Sequence, residues 1–175
     1  MHLNTNTMKL NKFYIIVLLS VCFVATSCST SKKAMKSPTP ATTTMECTQI
    51  TNDDNYIVEV QSMGKNVEKA TEAALVYAVK GMLFEGIPGS TVNRIQSLQP
   101  LVKDASLRTT KKEYFDNLFE SGDYRMYVET IPSVTPKVVK VDGGYNVKVS
   151  VILKKQLMRK RLEKDGIIKS LGSSL

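Results

Sequence analysis

The segment YNVKVSV at residues 145–151 decides the fold class, because it has the clearest strand pattern in the chain. Apolar and polar side chains alternate along it, which predicts one buried face and one face in water. Directly before it, Asp142-Gly143-Gly144 has the composition of a tight turn. Residues 134–141 precede that turn and read as the neighbouring strand. The sequence therefore predicts an antiparallel hairpin here.

A basic helix is predicted after this strand, over about Lys154–Lys164, with Leu157, Met158 and Leu162 as its apolar positions. Ahead of the hairpin, residues 124–131 alternate like another strand, with Tyr124, Met126 and Val128 on one side. Further upstream, Thr110-Lys111-Lys112-Glu113 matches a capping box and predicts the start of a helix. Gly122 is expected to close that helix.

The first part of the domain is predicted to be a strand followed by a long helix. Tyr56–Gln61 alternates like a strand, and Asn66 is a plausible N-cap for a helix over residues 67–84. Small residues at helical spacing on this helix allow a close approach to a sheet. They are Ala70, Ala74, Ala78 and Gly81. The segment Gly86-Ile87-Pro88-Gly89 ends the helix, and the spacing of residues 92–98 suggests a short helix.

The order of these elements predicts an α+β fold, with an antiparallel sheet of about four strands and helices packed on one face. Its domain spans residues 56–175. Residues 28–55 are rich in Ser, Thr, Lys and Pro, a composition typical of a flexible tether. A coil of about 27 residues spans roughly 30 Å. Cys47 lies in this predicted tether, either as an idle thiol or as a cross-link to another chain.

The N-terminus has the pattern of a signal peptide over residues 1–27. Lys9 and Lys12 precede a mostly apolar stretch, Phe13–Ala25, that is too short to span a bilayer comfortably. The stretch ends in Ala25-Thr26-Ser27-Cys28, which resembles the lipobox of bacterial lipoproteins, although alanine stands where leucine is favoured. An ordinary secreted protein cut near Ser27 and a retained membrane helix are the alternatives.

The lipobox resemblance implies cleavage between Ser27 and Cys28, followed by attachment of fatty acyl chains such as palmitate to Cys28. Each buried methylene then contributes about 0.8 kcal/mol to membrane attachment, so two or three chains anchor the protein in the bilayer. No aspartate follows Cys28 and no acidic run follows it. By the usual sorting rule, the expected location is the outer membrane, with the domain facing the periplasm.

The composition argues against most enzyme chemistry and against a metal or cofactor. The only histidine, His2, precedes the signal, so the mature chain has neither a histidine base nor a histidine ligand. Cys47 is the one thiol left after Cys28, which excludes an intrachain disulfide and a Cys/His zinc site. The acidic pairs Asp53-Asp54 and Glu120/Asp123 are interpreted as solvated turn residues. We therefore expect a non-enzymatic protein without catalytic residues.

The chain is basic, with a formal net charge of +8. Because an exported protein rarely meets nucleic acid, an acidic envelope surface or peptidoglycan is the more natural contact. The best candidate site is a basic cluster on the last predicted helix, with a solvated helix face as the alternative. The cluster comprises Lys154, Lys155, Arg159, Lys160, Arg161 and Lys164, and a second group, Lys32, Lys33 and Lys36, lies beside the anchor.

Three stretches, residues 58–64, 67–84 and 144–151, together resemble the N-terminal domain of flagellar assembly protein T. They also resemble related small outer-membrane lipoproteins found with flagella and other envelope machines. The resemblance covers about half of the mature chain, and the chain departs from the family pattern over residues 86–110. It carries over no catalytic residue. It implies a structural or assembly role with a protein partner in an envelope complex. A periplasmic binding module for peptidoglycan or another acidic polymer is the alternative function.

Overall fold

The computed structural model describes residues 43–170, which fold into an antiparallel sheet with helices on one face. The strands are β1 (Thr44–Ile50), β2 (Tyr56–Gly64), β3 (Val128–Thr130), β4 (Lys137–Val141) and β5 (Gly144–Leu153). The helices are α1 (Val67–Lys80), α2 (Ser106–Thr110), α3 (Lys112–Glu120) and α4 (Lys155–Lys164). The predicted α+β class is confirmed, with five strands in place of about four.

Strand β5 is the centre of the sheet. Strand β2 pairs with it over the whole length of β2, from Tyr56 opposite Leu153 to Gly64 opposite Tyr145. The other side of β5 is shared, because β3 pairs with its C-terminal end and β4 with its N-terminal end. Strand β1 pairs with β2 and forms the opposite edge. The clearest strand in the sequence is thus the one to which most of the sheet is attached.

Helix α1 packs closely on the sheet, as its small residues predicted. Ala70, Ala74 and Ala78 are fully buried. A Cβ atom added to Gly64 would lie 2.4 Å from the backbone nitrogen of Ala70, so the strand and the helix nearly touch there. Asn66 caps the helix, since its side chain accepts a hydrogen bond from the Lys69 amide at 2.8 Å.

Two further helices complete the core. Helix α3 buries Phe115, whose ring packs edge-to-face on Phe84 with 4.8 Å between centroids. Helix α4 buries Met158 and Leu162, as predicted. Leu157 was predicted to be a third apolar contact of α4, but this residue is 47% exposed, because it lies on the outer side of that helix.

The predicted boundary between the tether and the domain lies too far along the chain. Strand β1 begins at residue 44, whereas the predicted domain began at residue 56. Met45 and Cys47 alternate into the core, so Cys47 is a buried core residue and not an idle thiol in a linker. Residues 1–27, with the predicted signal, and residues 28–42, the rest of the predicted tether, lie outside the described residues.

Two strand and helix predictions are also corrected. Asp123–Tyr127 forms a 3-10 helix, and only Val128–Thr130 is a strand, because Tyr124 and Tyr127 are both buried at a spacing of three. The segment after Gly86 contains no helix over residues 92–98. It folds back on itself through bridges between Ile87 and Leu98 and between Ser90 and Ile95.

The predicted capping box is wrong as well. The Thr110 hydroxyl donates to the carbonyl oxygen of Ser106, so it closes the short helix α2 and does not cap α3. Lys111 precedes α3 without a side-chain cap. The closing role of Gly122 is confirmed, since this residue follows α3 with a φ of +85°.

Candidate functional site

Strand β4 is an open edge of the sheet. Val138 and Val139 point to opposite faces, and the two residues are 44% and 60% exposed. Within residues 43–170, β5 is the only strand paired with β4, and no hydrogen bond joins residues 137–141 to any other segment. Among the described residues, the outward amide and carbonyl groups of β4 therefore have no partner, and they can pair with an added strand.

Local sequence explains why this edge exists. The pairing of β3 with β5 continues to Ile131, whose amide donates to the Ser150 carbonyl oxygen. Pro132 and Pro136 then interrupt the edge, because proline has no amide hydrogen to donate. Pairing resumes at Lys137, and the Asp142-Gly143 turn, with Gly143 at a φ of +79°, returns the chain into β5. This turn was predicted from the sequence and is confirmed.

The charges on this edge are only partly compensated. Lys137 lies directly opposite Lys148 on the face of the sheet that the helices leave uncovered. Lys148 forms a 2.5 Å ion pair with Glu59 on β2. Lys137 and Lys140 make no ion pair within residues 43–170. Positive charge therefore remains at both ends of the Val138-Val139 pair.

The basic cluster predicted on the last helix is brought together on α4, but acids compensate most of it. Lys154 pairs with Glu129 at 2.6 Å, and Lys155 with Asp54 at 2.6 Å. Arg161 pairs with Asp165 one turn away. Arg159 lies 2.9 Å from Glu163, close enough for an ion pair although outside hydrogen-bond alignment.

Two members of the cluster keep an uncompensated charge. Lys160 and Lys164 form no ion pair with any residue between 43 and 170. Of the six residues predicted to contact an anionic surface, these two keep an unpaired charge in the described part of the chain.

A polar cleft of about 330 Å³ lies between α3 and α4. In it the Tyr114 hydroxyl donates to Asp165 at 2.8 Å. Burial, together with this carboxylate, raises the pKa of Tyr114 to about 12. Hydrogen bonds from Arg161 and Tyr114 lower the pKa of Asp165. Near neutral pH the tyrosine is therefore protonated and the carboxylate ionised, an arrangement that ties two helices together and is not poised for proton transfer.

A second tyrosine–carboxylate contact joins the 3-10 helix to α1. The Tyr124 hydroxyl donates to Glu72, which also accepts from Arg125 at 2.5 Å. Burial and the Glu72 carboxylate raise the pKa of Tyr124 to about 12. The partners are 52 residues apart in sequence, so no local pattern indicated this contact.

The predicted acidic pairs and the remaining thiol have structural surroundings. Asp54 accepts from Lys155 and Gln156, both at 2.6 Å. Asp123 lines the polar cleft, and Glu120 ends α3. Burial raises the pKa of the Cys47 thiol, which makes it a poor nucleophile.

Sequence reasoning missed β4 as a candidate site. A signal was present in the segment KVVKV at residues 137–141, where adjacent valines put an apolar side chain on each face. Such a strand, preceded by prolines and carrying lysines, is typical of a sheet edge.

Two further surveys cover residues 43–170. In this part of the chain, no group of three or more His, Cys, Asp or Glu side chains is arranged to hold a metal ion. None of its helices is long and apolar enough to cross a membrane. The predicted cleavage and lipidation residues, Ser27 and Cys28, lie outside residues 43–170.

Comparisons of the chain with protein-family models, curated proteins and solved structures find no match.

Proposed function

We propose that this chain is a non-enzymatic, lipid-anchored envelope protein whose domain binds another protein along the open edge of β4. The observation that carries the proposal is an edge strand with unpaired backbone groups and an exposed valine on each face. Edges of this kind pair readily with extended segments of other chains. The protein is then a structural or assembly component of a multi-protein envelope complex, with a secretion or transport apparatus as one host.

The anchoring half of the proposal rests on the sequence around Cys28. Acyl chains on Cys28 hold the protein at the outer membrane, with the domain in the periplasm. Because β1 begins at residue 44, the linker is shorter than residues 28–55. A coil of about 15 residues spans roughly 21 Å, which still keeps the domain clear of the lipid headgroups.

Metabolic labelling with palmitate tests the anchor. Cells expressing the full chain should incorporate label into the wild-type protein and not into Cys28→Ser. Equal labelling of the two proteins contradicts lipidation at this residue.

Purification from gently solubilised membranes tests the assembly role. We expect the intact protein to elute with companions that Val139→Asp releases. This substitution places a charge on the exposed edge without touching the core. A wild-type protein that elutes as a lone monomer removes the basis for an assembly role.

A second candidate, binding to peptidoglycan or another acidic polymer, is favoured by Lys160 and Lys164, which make no ion pair in the described residues. Near an anionic surface each such lysine contributes about 1 kcal/mol, an effect that salt screens. Sedimentation with purified sacculi tests it. Salt-sensitive retention that Lys160→Gln/Lys164→Gln abolishes supports polymer binding, and retention unchanged by this double substitution contradicts it.

A further inference from the structure

We infer that the segment which adds to β4 belongs to a partner chain and has the pattern acidic–apolar–apolar–acidic. This inference rests on the proposed function and names the chemistry of its partner. It follows from the side chains that a strand hydrogen-bonded to the outer side of β4 would meet at successive positions.

The first acidic position follows from the charge pattern across the uncovered face. Glu59 on β2 compensates Lys148 on β5, and Lys148 faces the like charge of Lys137 on β4. Like charges directly opposite each other destabilise a strand pair, whereas opposite charges stabilise it. A carboxylate on the next strand, opposite Lys137, continues the pattern and compensates the outermost charge.

The second acidic position follows from Lys140. This residue lies opposite Tyr145 and therefore on the other face of the sheet from Lys137. Between the two lysines, Val138 and Val139 are both exposed. An added strand covers them best with two apolar residues, and it meets Lys140 with a second carboxylate.

Neither of the two stretches outside the described structure has the required pattern. Residues 1–42 and 171–175 are the parts outside the described structure, and neither contains an aspartate or a glutamate. Residues 28–42 also carry Lys32, Lys33 and Lys36, together with Pro38 and Pro40, which cannot donate to a ladder. Charge and backbone chemistry both exclude them as the added strand.

A second copy of β4 is also a poor occupant. Opposite residues of an antiparallel pair share a face of the sheet, so two copies of β4 can pair with Val138 opposite Val138, which places each Lys137 opposite a Val139. In the other central register, Val139 lies opposite Val139 and each Lys140 lies opposite a Val138. The apolar and ionic contacts therefore cannot be satisfied together, which leaves an acidic segment of another protein.

Binding of two synthetic peptides to the full-length protein in detergent micelles tests the inference. The probes are TEVVET, which has the required pattern, and TKVVKT, its charge-reversed control. We expect the acidic peptide alone to bind, to slow amide hydrogen exchange in residues 137–141, and to bind more weakly as salt is raised.

Two double variants with the same change in net charge locate the site. Lys137→Glu/Lys140→Glu should weaken binding of TEVVET by about tenfold and allow binding of TKVVKT. Lys160→Glu/Lys164→Glu should leave both affinities unchanged. Urea unfolding of each variant checks that the fold is retained.

Each other outcome overturns the inference. Equal weakening by the two double variants indicates unspecific attraction, and exchange protection outside β4 indicates another site. Failure of the wild type to bind the acidic peptide, or a self-association that protects residues 137–141, rejects this partner chemistry. If companions released by Val139→Asp still bind Lys137→Glu/Lys140→Glu, the proposed function stands and the acidic pattern fails.

Discussion

Strands β1 and β4 lie at opposite edges of one sheet, and their surroundings differ. The β1 edge is covered, since Met45 and Cys47 are buried and the Cys47 amide donates to the Pro88 carbonyl oxygen at 2.9 Å. The β4 edge has no such cover within the described residues, and both its valines are exposed. One edge has therefore become part of the core, while the other remains available for pairing.

The cover over β1 depends on close packing of the segment after α1. A Cβ atom added to Gly89 would lie 2.1 Å from the Ile95 carbonyl oxygen, and one added to Gly81 would lie 2.2 Å from the Met45 side chain. Next to β4, a Cβ added to Gly143 in the turn meets nothing within 4 Å, and the tight contact nearby is between β5 and β2, where a Cβ added to Gly144 would lie 2.2 Å from the Gly64 carbonyl oxygen. The contrast indicates that β1 contributes to stability and that β4 is more tolerant of substitution.

An aspartate introduced into each of the two edges should give the largest difference in the free energy of unfolding. Cys47→Asp buries a charge without a partner and should lower the free energy of unfolding by about 4 kcal/mol or prevent folding. Val139→Asp leaves its carboxylate in water and should cost about 1 kcal/mol or less. Urea unfolding followed by circular dichroism measures both. Similar losses at the two positions contradict the contrast between the edges.

Added volume at a glycine should give the next largest difference. Gly89→Ala forces a backbone carbonyl aside and should cost about 1–3 kcal/mol. The matched control is Gly143→Asn in the β4–β5 turn, because asparagine tolerates a positive φ and the site is open, so the loss should stay below about 1 kcal/mol. Thermal unfolding of both variants compares them. A Gly89→Ala protein as stable as wild type shows that the cover over β1 is loose.

The sequence predicted the parts of the fold that depend on local signals. The alternation of residues 145–151, the alanine spacing of α1 and the Asn66 cap each lie within one element, and the structure confirms all three. Strand β1 carried no such signal. Its residues TMECTQI contain few aliphatic side chains, and its covering groups come from about 40 residues further along the chain.

The candidate edge could not be predicted because an edge is a property of the sheet order. Strand β4 has an open side only because β2 occupies the other side of β5, a pairing between distant segments.

The ion pairs that neutralise the basic helix α4 could be predicted in part from the sequence. Glu163 and Asp165 follow Arg159 and Arg161 at a spacing of four, whereas Asp54 and Glu129 reach α4 only through the fold.

Alkaline pH should weaken the β1 edge selectively. Burial raises the pKa of Cys47 above its ordinary value of 9.0, so the unfolded chain loses this proton first. The stabilising contribution is therefore complete below pH 9.0 and is lost as the pH rises toward the folded-state pKa. The stability of wild type should fall relative to Cys47→Ala as the pH rises above 9.0, as urea titrations can show. A constant difference between the two proteins means that the thiol is solvated.

The smallest expected difference concerns single lysines near the two edges. Lys155 holds the β1–β2 turn on α4 through Asp54, and its ammonium lies 5.0 Å from the centre of the Tyr56 ring. Lys155→Met keeps the apolar stem and removes both contacts, which should cost about 0.5–1 kcal/mol. Gln156 still donates to Asp54, so the turn remains attached and the loss stays small.

The control for this lysine is Lys140→Met on β4, which should leave stability within about 0.5 kcal/mol of wild type because Lys140 has no ion pair in the described part of the chain. Urea unfolding at low and high salt separates the two cases. Screening by salt should shrink the Lys155→Met effect and leave Lys140→Met unchanged. An equal loss in both variants would indicate that Lys140 already has a partner, and the unpaired charge assigned to the open edge would then be incorrect.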